Sequence, residues 1–370
     1  MEPSETLPDQ VPEQSPAQAP ALSPPPADAS VTYEADAPVI RAELADRDPP
    51  SAPPDEPPPR RRRRIGLPII LFVLTCLSTF LAGATQYMPL EQLQEASPIG
   101  ITPRGELFYN AYPNLMPFRR SVYTHFSEGL LYMACVLAIL LAHEMGHFVM
   151  TLVYRVRASL PFFIPLPISP IGTMGAVIAM DARQADRRQI FDIGLAGPLA
   201  GLVVALPIMW IGVARFDFRP GGPEKLQAPL AMQLTIKHVH PQHAEAAKGF
   251  PLDRANPWFM AGWVGLIVTG LNMLPVSQLD GGHVIYALFG KRAHLIARSF
   301  LFLAFAYMAI TVFWYKSMPT WILMAVLVLF IGTDHPPTSN DAVPLGWFRI
   351  ALGLASLAIP IFCFVPNLLL

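Results

Sequence analysis

Two histidines and a glutamate stand within five positions in "LLAHEMGHFVM", residues 140–150, inside a run of otherwise apolar residues. Four residues apart on a helix, His143 and His147 project from one face, a turn apart. Both imidazoles can then reach a single zinc ion at about 2.0–2.1 Å. Glu144, next to the first histidine, can reach a water on that metal without being a ligand itself. In such an H-E-x-x-H arrangement zinc lowers the pKa of the water and the glutamate takes its proton.

Catalytic zinc usually has three protein ligands and one open position, so two histidines need a third partner. Asp280 is the best candidate. It is a carboxylate expected at the inner end of a later membrane helix, at the same depth as the histidines. Ionisable groups in hydrocarbon are costly and seldom idle. A purely structural reading, with the histidines bonding neighbouring helices, leaves Glu144 and Asp280 without a task.

The elements that must carry these groups are membrane elements. The chain is 52% hydrophobic and only 14% charged, more apolar than an average soluble protein. Its net charge of −1 gives no general attraction to nucleic acid, and no nucleic-acid partner is expected. Residues 1–59 differ: twelve acids and sixteen prolines, with almost no aromatic residues, predict a disordered tail. Five consecutive arginines, 60–64, then precede about 20 apolar residues, enough to cross the hydrocarbon layer. Basic residues favour the cytosolic side, which puts the tail in the cytosol.

Spans are expected at about 65–84, 128–153, 190–213, 257–279, 296–315, 319–333 and 346–368. Residues 84–126 and 214–256 read as outer loops. Residues 158–181 are apolar but carry four prolines and two glycines, which argues against a straight helix. Such backbone is tolerated at membrane depth only when buried in protein or lining a wet cavity. A re-entrant loop or β-hairpin packed against the polar helix is therefore expected. "GLAGPLAG", residues 194–201, offers small residues for close helix packing. The fold class is an all-α polytopic membrane protein of about seven transmembrane helices. A small membrane-embedded β-hairpin accompanies them and a disordered tail precedes them.

Taken together, "HEMGH" and the later "NMLPVSQLDGG" resemble the site-2 protease family of intramembrane zinc metalloproteases (peptidase family M50). "FFIPLPISPIGTMGAVIAMDARQADRRQIFDIGLAGPLAG" is similar to the chloroplast-type and related bacterial branches of that family. The likeness covers roughly 128–290, the expected catalytic core. It follows the tail (1–59) and a first helix with its outer loop (60–127), and precedes C-terminal helices (291–370). It implies one Zn2+ per chain held by His143, His147 and Asp280, with Glu144 as general base. It further implies that Asn272 holds substrate backbone or an oxyanion, and that a hairpin segment with Gly172, Thr173 and Gly175 pairs with an unwound substrate. Where the family often has a second proline, this chain has Ser277. The outer loop is too short for an inserted PDZ domain.

The activity implied is cleavage of transmembrane segments of single-span membrane proteins in a lipid bilayer, most naturally the cell membrane. Two other classes use the same residues: a metal-binding scaffold that does not cut its clients, and a zinc or proton transporter. An inverted repeat would mark the transporter, and none is evident. Of the remaining motifs, Asn272 can also be read as polar glue between helices. His283 reads as an interfacial residue or a supporter of the ligands. His238, His240 and His243, in "HVHPQH", read as a solvated loop, and Asp334 and His335 are given no catalytic role. Cys76, Cys135 and Cys363 fall in apolar segments without ligand spacing, so no disulfide framework is expected.

Overall fold

The structure is a computed structural model that describes residues 65–95, 99–101, 107–109, 114–276, 278–315, 338–365 and 367. The expected acidic tail, the arginine block, the 319–333 span, Ser277, Asp334 and His335 lie outside the described residues.

Helix α1, Gly66–Ala84, shows the logic of the whole molecule. Its large apolar side chains, Ile69, Ile70, Val73 and Leu77, are exposed, while Thr75, Ser78, Thr79, Ala82 and Gly83 are buried. In lipid the oily face needs no protein cover, and small residues let helix backbones approach. The hydroxyls of Thr75 and Thr79 bond to the carbonyls of Leu71 and Thr75, so no polar group is stranded.

Residues expected to be loop-like after α1 contain α2 (Pro89–Glu95), an antiparallel pair β1 (Ile99–Ile101) and β2 (Leu107–Tyr109), and α3 (Met116–Thr124). Helix α4, Phe126–Val153, follows and carries both histidines in its last three turns. The broken apolar stretch folds as the expected hairpin, β3 (Phe162–Leu166) against antiparallel β4 (Gly172–Val177), with an irregularity at Ile164/Pro165. Helix α5, Arg187–Ala214, opens with a reciprocal cap in which Asp186 and Gln189 satisfy each other's backbone N–H.

The expected outer loop is folded too. Strands β5 (Lys225–Gln227) and β6 (Gly249–Pro251) pair around α6 (Leu230–Val239). Trp263 donates from its indole nitrogen to the Gln227 carbonyl and Asn256 from its amide to the Gly212 carbonyl, tying this segment to the helices.

Helix α7, Pro257–Asn272, is almost wholly buried, with Phe259, Met260, Trp263, Leu266 and Ile267 in a core shared with Tyr132, Val136 and Ile139 of α4 and Met209 of α5. It stops at Asn272, where a span to about 279 was expected. Pro275 has no N–H to give and turns Leu274 away from helical geometry. Sixteen residues rise only about 24 Å, less than the hydrocarbon thickness. The chain then turns and restarts as α8 (Asp280–Phe289), continuing through a tight turn into α9 (Ala293–Tyr315). The last expected span is divided into α10 (Trp347–Ser356) and α11 (Ile359–Cys363). Among the described residues, four stretches are long and apolar enough to cross a membrane: Gly66–Ala84, Phe126–Val153, Arg187–Ala214 and Asp280–Phe313. Cys76, Cys135 and Cys363 are free thiols.

Candidate metal centre

The turn after Asn272 decides where Asp280 stands. Ending α7 early lets the chain double back, so Asp280 opens α8 rather than closing the preceding helix. Its Oδ2 lies 3.2 Å from His143 Nε2 and 3.3 Å from His147 Nε2. The two imidazole rings sit 5.0 Å apart on α4. His143, Glu144 and His147 are all buried, and Asp280 keeps 16% of its side chain exposed. Among the described residues, His143, His147 and Asp280 form the group of potential ligands close enough to share an ion.

The hydrogen bonding tests whether a cation fits there. His147 Nδ1 lies 2.8 Å from the carbonyl of Ile193 on α5. A carbonyl only accepts, so Nδ1 carries a proton, and in the neutral form of the ring Nε2 presents its lone pair toward Asp280. Two acceptors facing each other repel unless a proton or a metal cation stands between them, and the deprotonated set is the one that binds a metal. Donors on a tetrahedral zinc at about 2.0–2.1 Å are themselves about 3.3 Å apart. The observed separations match that spacing, so the residues present fit the metal.

Helix α5 makes room for these rings through its glycines. A Cβ on Gly197 would collide with the His147 ring, and one on Gly201 would meet His143 Nδ1 at 3.1 Å. From the other side, a Cβ on Gly146 of α4 would meet the Ala196 carbonyl at 2.5 Å. Close helix packing and ring placement are thus one feature.

Residues 131–314 match peptidase family M50. This chain carries a peptidase family M50 domain. It is 30% identical over 311 residues to "Probable zinc metalloprotease EGY1, chloroplastic" of Oryza sativa subsp. japonica, covering 81% of this chain and 50% of that protein. To the protein of the same description from Arabidopsis thaliana it is 28% identical, covering 81% of this chain and 53% of that one. "Probable zinc metalloprotease EGY2, chloroplastic" of Arabidopsis thaliana is 27% identical over 44% of this chain and 29% of its own length. The chain therefore spans about half the length of the two EGY1 relatives it matches.

Within the M50 domain the metal group opens onto a cavity of about 360 Å³, which Glu144, Asn272, Gln278 and His283 also line. The Asn272 amide nitrogen is 3.2 Å from His143 Nε2, so this residue belongs to the centre's surroundings rather than to a distant helix contact. Gly172, Thr173 and Gly175 are not among the residues that line this cavity. Gly172 is pinned to α1: the Ser78 hydroxyl donates to its carbonyl at 2.5 Å, and its φ of +81° suits glycine. Thr173 is buried and donates to the Ile164 carbonyl across the hairpin, while Gly175 donates its N–H to the Thr173 hydroxyl. The wall beside the metal group is instead the stretch 176–180.

The sequence assigns Ile193 and residues 176–180 no part in the site, and Gly197 only a part in helix packing. A backbone carbonyl leaves no trace in residue type. The glycines were noted for packing, but their meeting with the imidazoles needs coordinates.

Proposed function

We propose that this protein is a zinc metalloendopeptidase that cleaves transmembrane segments of membrane proteins within the bilayer. The observation that carries the reading is the meeting of His143, His147 and Asp280, from two remote helices, beside Glu144 in one cavity. Zinc bound there supplies Lewis acidity, activating a water and polarising a peptide carbonyl. Glu144 accepts the proton of the attacking water and returns it to the departing amine. With His143 Nε2 held as a ligand, the Asn272 amide beside it would be free to donate to a substrate carbonyl.

A transmembrane helix shields its peptide bonds, so the substrate must unwind before it can be cut. An extended strand alongside residues 176–180 would replace the helical hydrogen bonds lost on unwinding. Strand β4 pairs with β3 through Ala176 and Val177, and the following residues continue along the cavity. Single-span proteins are the simplest substrates for lateral entry. The preference of basic residues for the cytosolic side supports a cytosolic tail before the arginine block 60–64 and a centre toward the cytosolic leaflet.

The test uses the purified full chain in bicelles with a synthetic single-span substrate. Wild type cleaves, a chelator stops it and added zinc restores it. Glu144→Gln retains one zinc but loses about 10²–10⁴-fold in turnover. Undiminished cleavage by Glu144→Gln overturns the base assignment. Zinc flux through proteoliposomes without any cleavage would replace the peptidase with a transporter.

A further inference from the structure

Outside the M50 match, Arg349 of α10 reaches back into the domain. Its Nε and Nη2 each donate at 2.8 Å to the two carboxylate oxygens of Asp192 on α5. The Tyr154 hydroxyl, just past the end of α4, donates to the same carboxylate at 2.5 Å. Asp192 is 15% exposed and Arg349 30%, so this is a partly desolvated, bidentate junction rather than a loose surface pair.

The position of the junction is what matters. Asp192 is the immediate neighbour of Ile193, whose carbonyl holds His147 Nδ1. Tyr154 lies seven residues, about two turns, beyond His147 on the same chain path. The beginning of α5 also holds the other ligand helix: Arg187 donates from Nε to the Ala287 carbonyl at 2.6 Å and from Nη2 to that of Leu288 at 3.2 Å, at the end of α8. One short piece of α5 therefore braces both the helix with the two histidines and the helix with Asp280.

We propose that Arg349 is a positioning residue for the metal centre. By clamping Asp192 against Tyr154 it sets the Ile193 carbonyl, and through it the tautomer and aim of the His147 ring. The inference rests on the metal-centre reading above. Partners that orient a ligating histidine typically carry 10–100-fold of metal affinity when removed. Lysine keeps the charge but cannot make the two-pronged contact, so it should rescue only part of the loss.

The experiment is a chelator-competition titration of zinc on the full chain in detergent, paired with visible spectra of the cobalt-loaded protein. His143→Ala serves as the ligand-loss control and Arg219→Gln, in an exposed ion pair of the 214–256 segment, as the neutral one. Arg349→Gln and Asp192→Asn should each weaken zinc binding about 10–100-fold and shift the cobalt bands, and the double variant should be no worse than the weaker single. Arg349→Lys should fall between them and wild type; it decides the matter if Arg349→Gln does not accumulate. Affinity within about two-fold of wild type and unchanged cobalt bands, even with lowered thermal stability, would make Arg349 a mere fastener and overturn the proposal. A wild-type protein that binds no zinc, like His143→Ala, would instead remove the centre itself, and the inference with it.

Discussion

His143 and His147 lie four residues apart on one helix, whereas His238, His240 and His243 crowd into six residues of the 214–256 segment. The second group is denser in sequence, yet among the described residues it joins no ligand group close enough to share an ion. His238 is exposed beside Trp210, His240 points its Nε2 at the Val213 carbonyl at 3.0 Å, and His243 stacks on Phe218 with ring centroids 4.3 Å apart. Among the described residues no carboxylate joins these rings; Phe218 lies against both His240 and His243. The first pair is held by one helix face and by a chain of supports, Ile193, Gly197 and Gly201, that aim both rings at Asp280. Convergence, and not the number of histidines, distinguishes a candidate metal centre from a histidine-rich surface.

The contrast is broken most severely at its third corner. Asp280→Ala should lower zinc affinity by more than about 100-fold, the size that even supporting residues reach, and abolish cleavage. Zinc content after dialysis against a weak chelator measures this. Retention of one tightly held zinc would mean that the centre is built from other ligands.

A smaller effect is expected at a residue with no side chain to lose. Gly197→Ala pushes a methyl group into the His147 ring, so α4 and α5 must part. Overpacking of this kind typically costs about 1–3 kcal/mol. Thermal melts of the metal-free protein and zinc competition should both show the loss. An unchanged zinc affinity would show that the ring can move aside without consequence.

At the other cluster the expectations reverse. Replacing His238, His240 and His243 together by alanine should leave zinc at one per chain. Loss of the His240 bond to Val213 should lower stability by about 1 kcal/mol. A fall in zinc stoichiometry would make the two clusters alike.

The smallest effect belongs to the exposed pair nearby. The Arg219 guanidinium, hydrogen-bonded to Asp217, holds its carboxyl down to about 2. A depressed carboxyl contributes stability above its unfolded value of 3.8 and loses that contribution as the pH falls toward 2. Asp217→Asn should therefore melt slightly lower than wild type by the same margin from neutral pH down to about 5, the deficit fading as the pH falls through 3.8 toward 2; a difference that grows in acid would contradict this.

Much of the candidate site could be read in residue types, because the chemistry proposed for it needs particular ones. His143, Glu144 and His147 declare themselves by spacing, and Asp280 by being a carboxylate at matching depth. Asp280 meets the histidines although the helix expected to end there does not reach it: Pro275 ends α7 at Asn272, and Asp280 begins a new helix after a turn. Four prolines in 158–181 correctly forecast a hairpin, but Gly172 and Thr173 turned out to anchor it to α1 and to itself. The cavity wall fell to 176–180, where side chains carry no chemical label. The junction of Tyr154, Asp192 and Arg349 joins residues far apart in the chain, each ordinary at a membrane boundary. Only their meeting gives them a role.

X-ray absorption at the zinc edge of the purified wild-type protein tests the central claim most directly. Two imidazole nitrogens with only oxygen donors completing the shell, all near about 2.0–2.1 Å, is the predicted result. Zinc bound through sulfur, through three or more imidazoles, or not at all would contradict it.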